Sequence, residues 1–366
     1  MTDYQLRYKI ALTYLSGFGP KKVFKLLSCI ETPEVLFKDS FHSLAKKTGF
    51  KKEALGLMHR ENALEKADKQ IKFIDKNQLD VHFYLDNTFP RRLRNCEDSP
   101  ILIYTKGNLK TNPQRSVAIV GTRNATNYGK NICEHLIYAL KTNDIQVISG
   151  LAYGIDAYAH QLCVEKNIET VAVLGHGMDR IYPVTHKKLA LKMLSNGGLI
   201  SEFPSGTKPD KENFPKRNRI VAGMADAVIV VESKSKGGSL ITAELANDYN
   251  KDVFAFPGNV DEENSQGCNN LIASNKAHLI TSCADFLKIM GWGNLNQANQ
   301  MLCNFEMSGP ESTIFNLLLA NNKTHIDVLS VQAKTPVSQI SAILFQLELK
   351  GAVKKYVGNM YGINQI

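Results

Sequence analysis

Along the first 75 or so residues the apolar positions recur at helical spacing: Leu6, Ile10, Leu12 and Leu15, then Val23, Leu26 and Leu27, then a lysine-rich amphipathic stretch through Ile71 and Ile74. The period changes at Ser116. From there to about Met290, short runs apolar at every position (117–120, 147–149, 171–174, 199–201, 228–231 and 253–256) alternate with amphipathic stretches long enough to be crossover helices. A strand apolar on both faces needs cover on both, so the pattern predicts an α/β domain with a Rossmann-like, doubly wound, mostly parallel sheet. Residues 292–308 are rich in Asn and Gln and lack periodicity, which reads as a linker. Beyond it, 314–319, 326–331 and 337–349 predict three helices, and 352–357 and 360–363, joined by Gly358-Asn359, a two-stranded wing, the pattern of a small winged-helix domain. The organisation expected is therefore a small N-terminal helical domain over 1–78, SAM-like or helix-hairpin-helix, the sheet domain over 79–291, the linker over 292–308 and the winged helix over 309–366.

Glycine follows nearly every predicted strand: Gly121, Gly150, Gly175 and Gly258, with Gly237 and Gly238 a few residues after the fifth. These positions lie at the carboxyl ends of the strands, where open α/β sheets bind ligands. The first such loop, Gly121-Thr122-Arg123-Asn124-Ala125-Thr126-Asn127-Tyr128-Gly129, stands where a dinucleotide enzyme carries G-x-G-x-x-G, but the second and third glycines are missing. Without them a pyrophosphate cannot approach the backbone, which excludes NAD or FAD on this turn. What remains is a hydroxyl and a guanidinium beside a helix start, suited to a single phosphate; a surface ion pair is the plainer use of Arg123.

The loop entering a later helix, Lys208-Pro209-Asp210-Lys211-Glu212-Asn213-Phe214-Pro215-Lys216-Arg217-Asn218-Arg219, places an aromatic ring among five cations. Single-stranded nucleic acid is held by this combination, cations for phosphates and a ring for base stacking. The competing use has Phe214 plugging the core and Arg217 or Arg219 paired with an acid such as Glu202 or Glu232, and at least one of the two arginines is expected to be structural. Lys236, Gly238 and Ser239, at the start of the helix after the fifth strand, form a further anion seat; the spacing is not that of a Walker A loop. His160 and His176 come with no nucleophile or metal-ligand pattern and read as hydrogen-bonded structural histidines. Near the N-terminus, Leu15-Ser16-Gly17-Phe18-Gly19-Pro20-Lys21-Lys22 has the glycines of a tight turn and a proline suited to a helix start; it resembles a helix-hairpin-helix turn, or is a plain turn with solvated lysines.

Composition adds a direction and removes classes. The formal charge is +9, which concentrates polyanions at the surface. The seven cysteines are scattered and nowhere form Cys-x-x-Cys, which argues against a disulfide framework and against a zinc site. No apolar run reaches the length of a membrane span, and residues 1–10 show no secretory apolar core, so a reducing cytoplasm is the expected home.

Taken in order, the segments Ser116-Val117-Ala118-Ile119-Val120-Gly121-Thr122-Arg123, Ser149-Gly150-Leu151-Ala152-Tyr153-Gly154-Ile155-Asp156, Asn213-Phe214-Pro215-Lys216-Arg217-Asn218-Arg219-Ile220 and Gly238-Ser239-Leu240-Ile241-Thr242-Ala243 resemble the DNA-processing protein A (DprA/Smf) family. The likeness extends to Phe89-Pro90-Arg91-Arg92-Leu93 before the sheet and Phe256-Pro257-Gly258 at its end. It implies a bacterial cytoplasmic protein, not an enzyme and without cofactor, that binds incoming single-stranded DNA in natural transformation and loads RecA recombinase onto it, displacing or cooperating with single-strand-binding protein. It also implies a homodimer formed through the Rossmann-like domain. Carried over by motif, Arg123 would hold phosphate, Lys211 would be the pocket lysine and Phe214 the base-contacting ring. Gly121, Thr122, Gly150, Gly238 and Ser239 would offer backbone or hydroxyl contacts, with Arg217, Asn218, Arg219, Lys187 and Lys236 as further contacts. One departure concerns the winged helix: its third helix opens Thr335-Pro336-Val337-Ser338-Gln339 and has no cation before Lys350, so a protein contact or weak duplex binding is expected there, not base readout.

The rival reading is enzymatic. Lysine-decarboxylase-like phosphoribohydrolases, which cleave nucleoside monophosphates, carry P-G-G-x-G-T-x-x-E, and Gly237-Gly238 with Glu244 echoes it; but Lys236 replaces the proline and Leu240-Ile241 stand where Gly-Thr would be. A third reading makes the chain chiefly an adaptor for recombination proteins.

Overall fold

The computed structural model describes residues 3–292, 307–321, 324–350, 352–356 and 358–363. Most of the linker expected over 292–308, with Cys303, lies outside these residues. The chain divides into two compact units, Met1–Phe286 and Leu287–Ile366.

In the first unit, among the described residues, one nine-stranded sheet has the order β1-β2-β6-β5-β4-β3-β7-β8-β9. The strands are β1 (Asp80–Phe83), β2 (Leu102–Asn108), β3 (Ser116–Val120), β4 (Gln146–Ser149), β5 (Thr170–Val173), β6 (Gly197–Ser201), β7 (Ala227–Val230), β8 (Asp252–Ala255) and β9 (His278–Leu279). β3 through β9 run parallel, in the registers Val117↔Val147, Ile148↔Val171 and Ala118↔Val228, while β1 and β2 extend the β6 edge antiparallel. β3, β4 and β5 are buried at every position, as the all-apolar runs require.

The helices with few polar residues on one face cover the sheet: α8 (Asn127–Lys141), α9 (Ile155–Lys166), α10 (Lys187–Met193), α11 (Asn213–Met224), α12 (Gly238–Asp248) and α13 (Gln266–Ala273). The chain runs outward from β3 to β6 and then returns through α11 to β7 on the other side of β3. This reversal leaves a crevice at the carboxyl ends of β3 and β7, the place where such sheets bind ligands.

Preceding the sheet, α1 (Asp3–Ala11), α2 (Pro20–Leu27), α3 (Pro33–Lys38), α4 (Phe41–Thr48), α5 (Lys52–Gly56) and α6 (Arg60–Asn77) form a helical bundle. The boundary expected near residue 78 is bridged by shared packing: Ile10, Leu26, Leu44 and Ile74 belong to one core with Phe83, Leu102 and Tyr104 of β1 and β2. Lys9 also pairs with Asp86 at 2.7 Å, and Ser205 Oγ donates to Gln70 at 2.7 Å. The short α7 (Arg91–Arg94) buries Phe89 and Leu93 against the sheet core, and Arg92 Nε donates to Asp226 at 2.5 Å, so this pre-sheet motif is a structural clasp.

After α14 (Cys283–Ile289), the second unit holds α15 (Gly309–Asn321), β10 (Thr324–His325), α16 (Ile326–Ala333), α17 (Val337–Leu349), β11 (Val353–Tyr356) and β12 (Met360–Ile363). Its three strands pair antiparallel in the order β10-β12-β11, with Ile314, Leu318, Leu329, Ile340, Leu344 and Tyr361 as the core of a winged helix. Lys350, the first cation after the start of α17, is 2.8 Å from Glu311. No helix among the described residues is long and apolar enough to cross a membrane.

Candidate nucleic-acid interface

The loop after β3 is short because it is bonded to its neighbours on both sides. Thr122 N donates to Glu232 O at 2.8 Å across the β3–β7 crevice, and Ile155 N donates to Thr122 O at 3.1 Å from the loop after β4. Gly121 is glycine because a Cβ would press on Ile155, and Gly154, at φ +77°, because one would overlap the backbone of Thr122 and Arg123. The Thr122 hydroxyl accepts from Asn124 N at 3.2 Å and so braces the loop. Out of this rigid turn Arg123 projects, exposed and without a bonded partner among the described residues.

The helix start that would hold a pyrophosphate in a dinucleotide enzyme is already filled. Glu232, 2 % exposed at the end of β7, accepts from Thr126 N at 3.0 Å and from Thr126 Oγ1 at 2.5 Å, and Gly129 lacks the Cβ that would displace the carboxylate. The chain's own carboxylate thus occupies the positive end of α8. The sequence offers Glu232 as a partner for Arg217 or Arg219; in the fold it serves neither.

Arg217 does not reach the surface. It is 5 % exposed, its Nη1 donates to Val173 O at 2.6 Å, and a Cβ on Gly150 would overlap its guanidinium. Its counter-charge is Asp156, which also accepts from Gly150 N at 3.1 Å. Burial raises the Asp156 pKa and lowers that of Arg217, and the attraction between the two charges opposes both shifts. Arg219 is bound as well, to Glu202 and to Asp98 O at 2.6 Å. Both arginines are therefore corrected from strand contacts to framework, because the walls around them supply acids and carbonyls. Gly150 makes room for Arg217, and Ser239 is buried with its hydroxyl 2.9 Å from that of Ser233. Asn218 Nδ2 donates to Gly238 O at 3.5 Å, joining α11 to α12 and leaving Gly238 itself exposed.

Phe214 is half-buried and lies over Gly175, where a Cβ would come within 3.1 Å of the ring. Its other neighbour is Tyr182, with centroids 5.9 Å apart, and Tyr182 is 45 % exposed. Gly121, Gly150 and Gly175 follow the adjacent strands β3, β4 and β5, so the Arg123 loop and Gly175, over which the Phe214 ring lies, belong to strand ends two places apart, about 10 Å strand to strand. Lys187, Lys211 and Lys236 are exposed, as are Lys208 and Lys216. Beside Arg123 a cavity of about 540 Å³ is lined by Lys130, Tyr158, His186 and Lys188 among others. Tyr182, Lys130 and Lys188 are rim residues that reasoning from the sequence does not find. A tyrosine beside a proline in a loop after a buried strand is the available signal for the first; nothing in their spacing marks the lysines.

The two histidines are internal. His160 Nδ1 is 2.7 Å from Thr170 Oγ1, and burial lowers its pKa to about 3; His176 accepts from Tyr182 N at 3.2 Å and lies 2.9 Å from Gly177 O, so it fixes the loop that presents Tyr182.

With this geometry in view, comparison with known proteins is direct. The profile for DNA recombination-mediator protein A matches residues 80–291, and that for the DprA winged helix domain matches residues 299–359. Protein Smf of Synechocystis is 31 % identical over 99 % of this chain and 99 % of its own length; Protein Smf of Escherichia coli is 34 % identical over 74 % of each. Among solved structures, DNA processing protein A of Streptococcus pneumoniae aligns with a TM-score of 0.63 at 31 % identity, covering 77 % of this chain and 97 % of that one. The Helicobacter pylori protein, whose structure concerns its single-stranded DNA binding mode, aligns with a TM-score of 0.53 at 30 % identity, over 58 % of this chain and 95 % of that one. On its sheet domain, its winged helix and its near full-length likeness to Smf, this chain belongs to the DNA recombination-mediator protein A family, DprA/Smf.

Proposed function

We propose that this chain binds single-stranded DNA along the carboxyl rim of its sheet and makes no covalent change in it. The observation that carries the reading is the pairing of Arg123, exposed and unpartnered among the described residues, with the Phe214–Tyr182 ring pair on the same rim, where Lys187, Lys211 and Lys236 are further exposed cations. Phosphates bind the cations, and bases stack on rings that accept any sequence. The kinship with a protein described by its single-stranded DNA binding mode supports the same reading.

The rim's carboxylates support binding over hydrolysis. Glu232 is held by Thr126, Asp156 faces Arg217, and Glu244, the acid of the phosphoribohydrolase echo, lies on the exposed face of α12 at 3.6 Å from Lys276. In the setting the family implies, the strand is incoming DNA in the cytoplasm of a transforming bacterium. A homodimer then hands it to RecA in place of single-strand-binding protein, and the winged helix, whose Val331, Phe345 and Leu349 are exposed, makes a protein contact.

Mobility shifts with labelled oligo-dT and with duplex of the same length test the reading. The wild type is expected to prefer the single strand, and Phe214→Ala to weaken it by roughly 1–3 kcal/mol for a lost base stack. Equal binding by wild type and Phe214→Ala, or release of free base from nucleoside monophosphates, would sink it.

A further inference from the structure

Among the described residues, a cluster of lysines without acidic partners lies in the N-terminal helices, away from the rim. The turn between the first helices, with Gly17 at φ +73°, leads into α2, which starts at Pro20 with no side-chain cap. Phe18 of this turn packs on Phe50, in the turn between α4 and α5, with ring centroids 5.6 Å apart. That contact brings the lysines of both segments to one corner. Lys22 Nζ lies 5.4 Å from the centre of the Phe18 ring, Lys25 Nζ lies 5.3 Å from that of Phe50, and Lys51 and Lys52 follow Phe50 directly, with Lys46 one turn before it.

Nearby acids are spent elsewhere. Glu34 pairs with Lys38, Asp39 with Lys47 at 2.8 Å, and Glu97 with Lys21. Lys22 donates to the Gly17 carbonyl at 2.9 Å, which leaves its charge uncompensated, and Lys25, Lys46, Lys51 and Lys52 are exposed with no acidic partner among the described residues. Glu31 and Glu53 are the acids flanking the two segments, against these five lysines.

We infer that this corner, α2 with the α4–α5 turn, is a second nucleic-acid contact that grips the phosphate backbone of double-stranded DNA. The two rings pack on each other and under lysines, Phe18 buried and Phe50 half-buried, so the corner lacks the exposed aromatic partner that Tyr182 gives Phe214 at the rim. A surface of charge without stacking recognises a ligand whose phosphates are outside and whose bases are already stacked, which is a duplex. Binding is sequence-independent and dominated by release of counterions.

The test uses the full chain and a labelled blunt duplex, titrated over a salt series, with oligo-dT in parallel. Lys25→Ala, Lys51→Ala and Lys52→Ala combined should weaken duplex binding and make its log–log salt slope shallower by about 0.9 for each phosphate no longer neutralised, with oligo-dT binding unchanged. Arginine at the same three positions should retain duplex binding, and Arg123→Ala should weaken oligo-dT alone, so failure of the rim and failure of this corner are read separately. Duplex binding by the alanine variant equal to wild type overturns the inference. So does loss of duplex binding in the arginine variant, or wild-type binding to vesicles of anionic lipid but not to duplex.

Discussion

At the end of β3 and beneath the end of β4 the protein places the same side chain in opposite circumstances. Arg123 follows Thr122, whose backbone is bonded to Glu232 and Ile155, while its own guanidinium has no bonded partner among the described residues and stands in solvent. Arg217 projects from α11 into a gap that Gly150 leaves open, with the Val173 carbonyl and Asp156 waiting there. A guanidinium's use is thus decided by the wall opposite it. One arginine is available to a phosphate because the fold supplies it no acid; the other holds strand ends together and is unavailable to any ligand.

The comparison breaks most sharply at its buried end. Arg217→Ala leaves Asp156 buried without its partner and should cost about 3–5 kcal/mol, read as a lower urea midpoint. A variant of wild-type stability that only loses DNA would return Arg217 to the rim.

Acid should separate the two ends next. His160, close enough to Arg217 to feel its charge, has a folded pKa of about 3 against an ordinary 6.5, through burial first. A base with a depressed folded pKa binds its proton in the unfolded chain first, so stability is full above 6.5 and is lost as pH falls towards 3. By pH 5 the loss is about 2 kcal/mol, at about 1.4 kcal/mol per unit. Thermal melts of His160→Asn should fall less between pH 7 and pH 5 than those of wild type, and parallel curves would contradict this.

The exposed end should respond to salt instead. Arg123→Ala should leave the urea midpoint within about 0.5 kcal/mol of wild type and make the oligo-dT salt slope shallower by about 0.7. Lys236→Ala, at the far side of the crevice, should show a smaller loss of oligo-dT affinity in the same titration, and a loss larger than that of Arg123→Ala would move the centre of the track towards α12.

Six strands are readable as all-apolar runs because the sheet is covered on both faces, and the winged helix because its helices and wing each keep a local period. β1, β2 and β9 escape for the converse reason. Asp80–Phe83 is half polar, Leu102–Asn108 is apolar for only part of its length, and His278–Leu279 is two exposed residues, so neighbours rather than pattern make them strands. The rim loops are legible as loops, with Arg123 as exposed chemistry on one and Phe214 as a half-buried ring at the start of α11, whereas Glu232 as the cap of α8 and Asp156 as the counter-charge of Arg217 are not, since each acts on a residue distant in sequence.

The order of strands and helices, the glycine-marked turns and the absence of a pyrophosphate cradle follow from local pattern and are determined by the sequence read alone. Which cations face solvent is a property of the assembled molecule. A charge is spent or left free by whatever the rest of the chain brings within about 3 Å of it, and that proximity exists only after residues tens of positions apart have packed together.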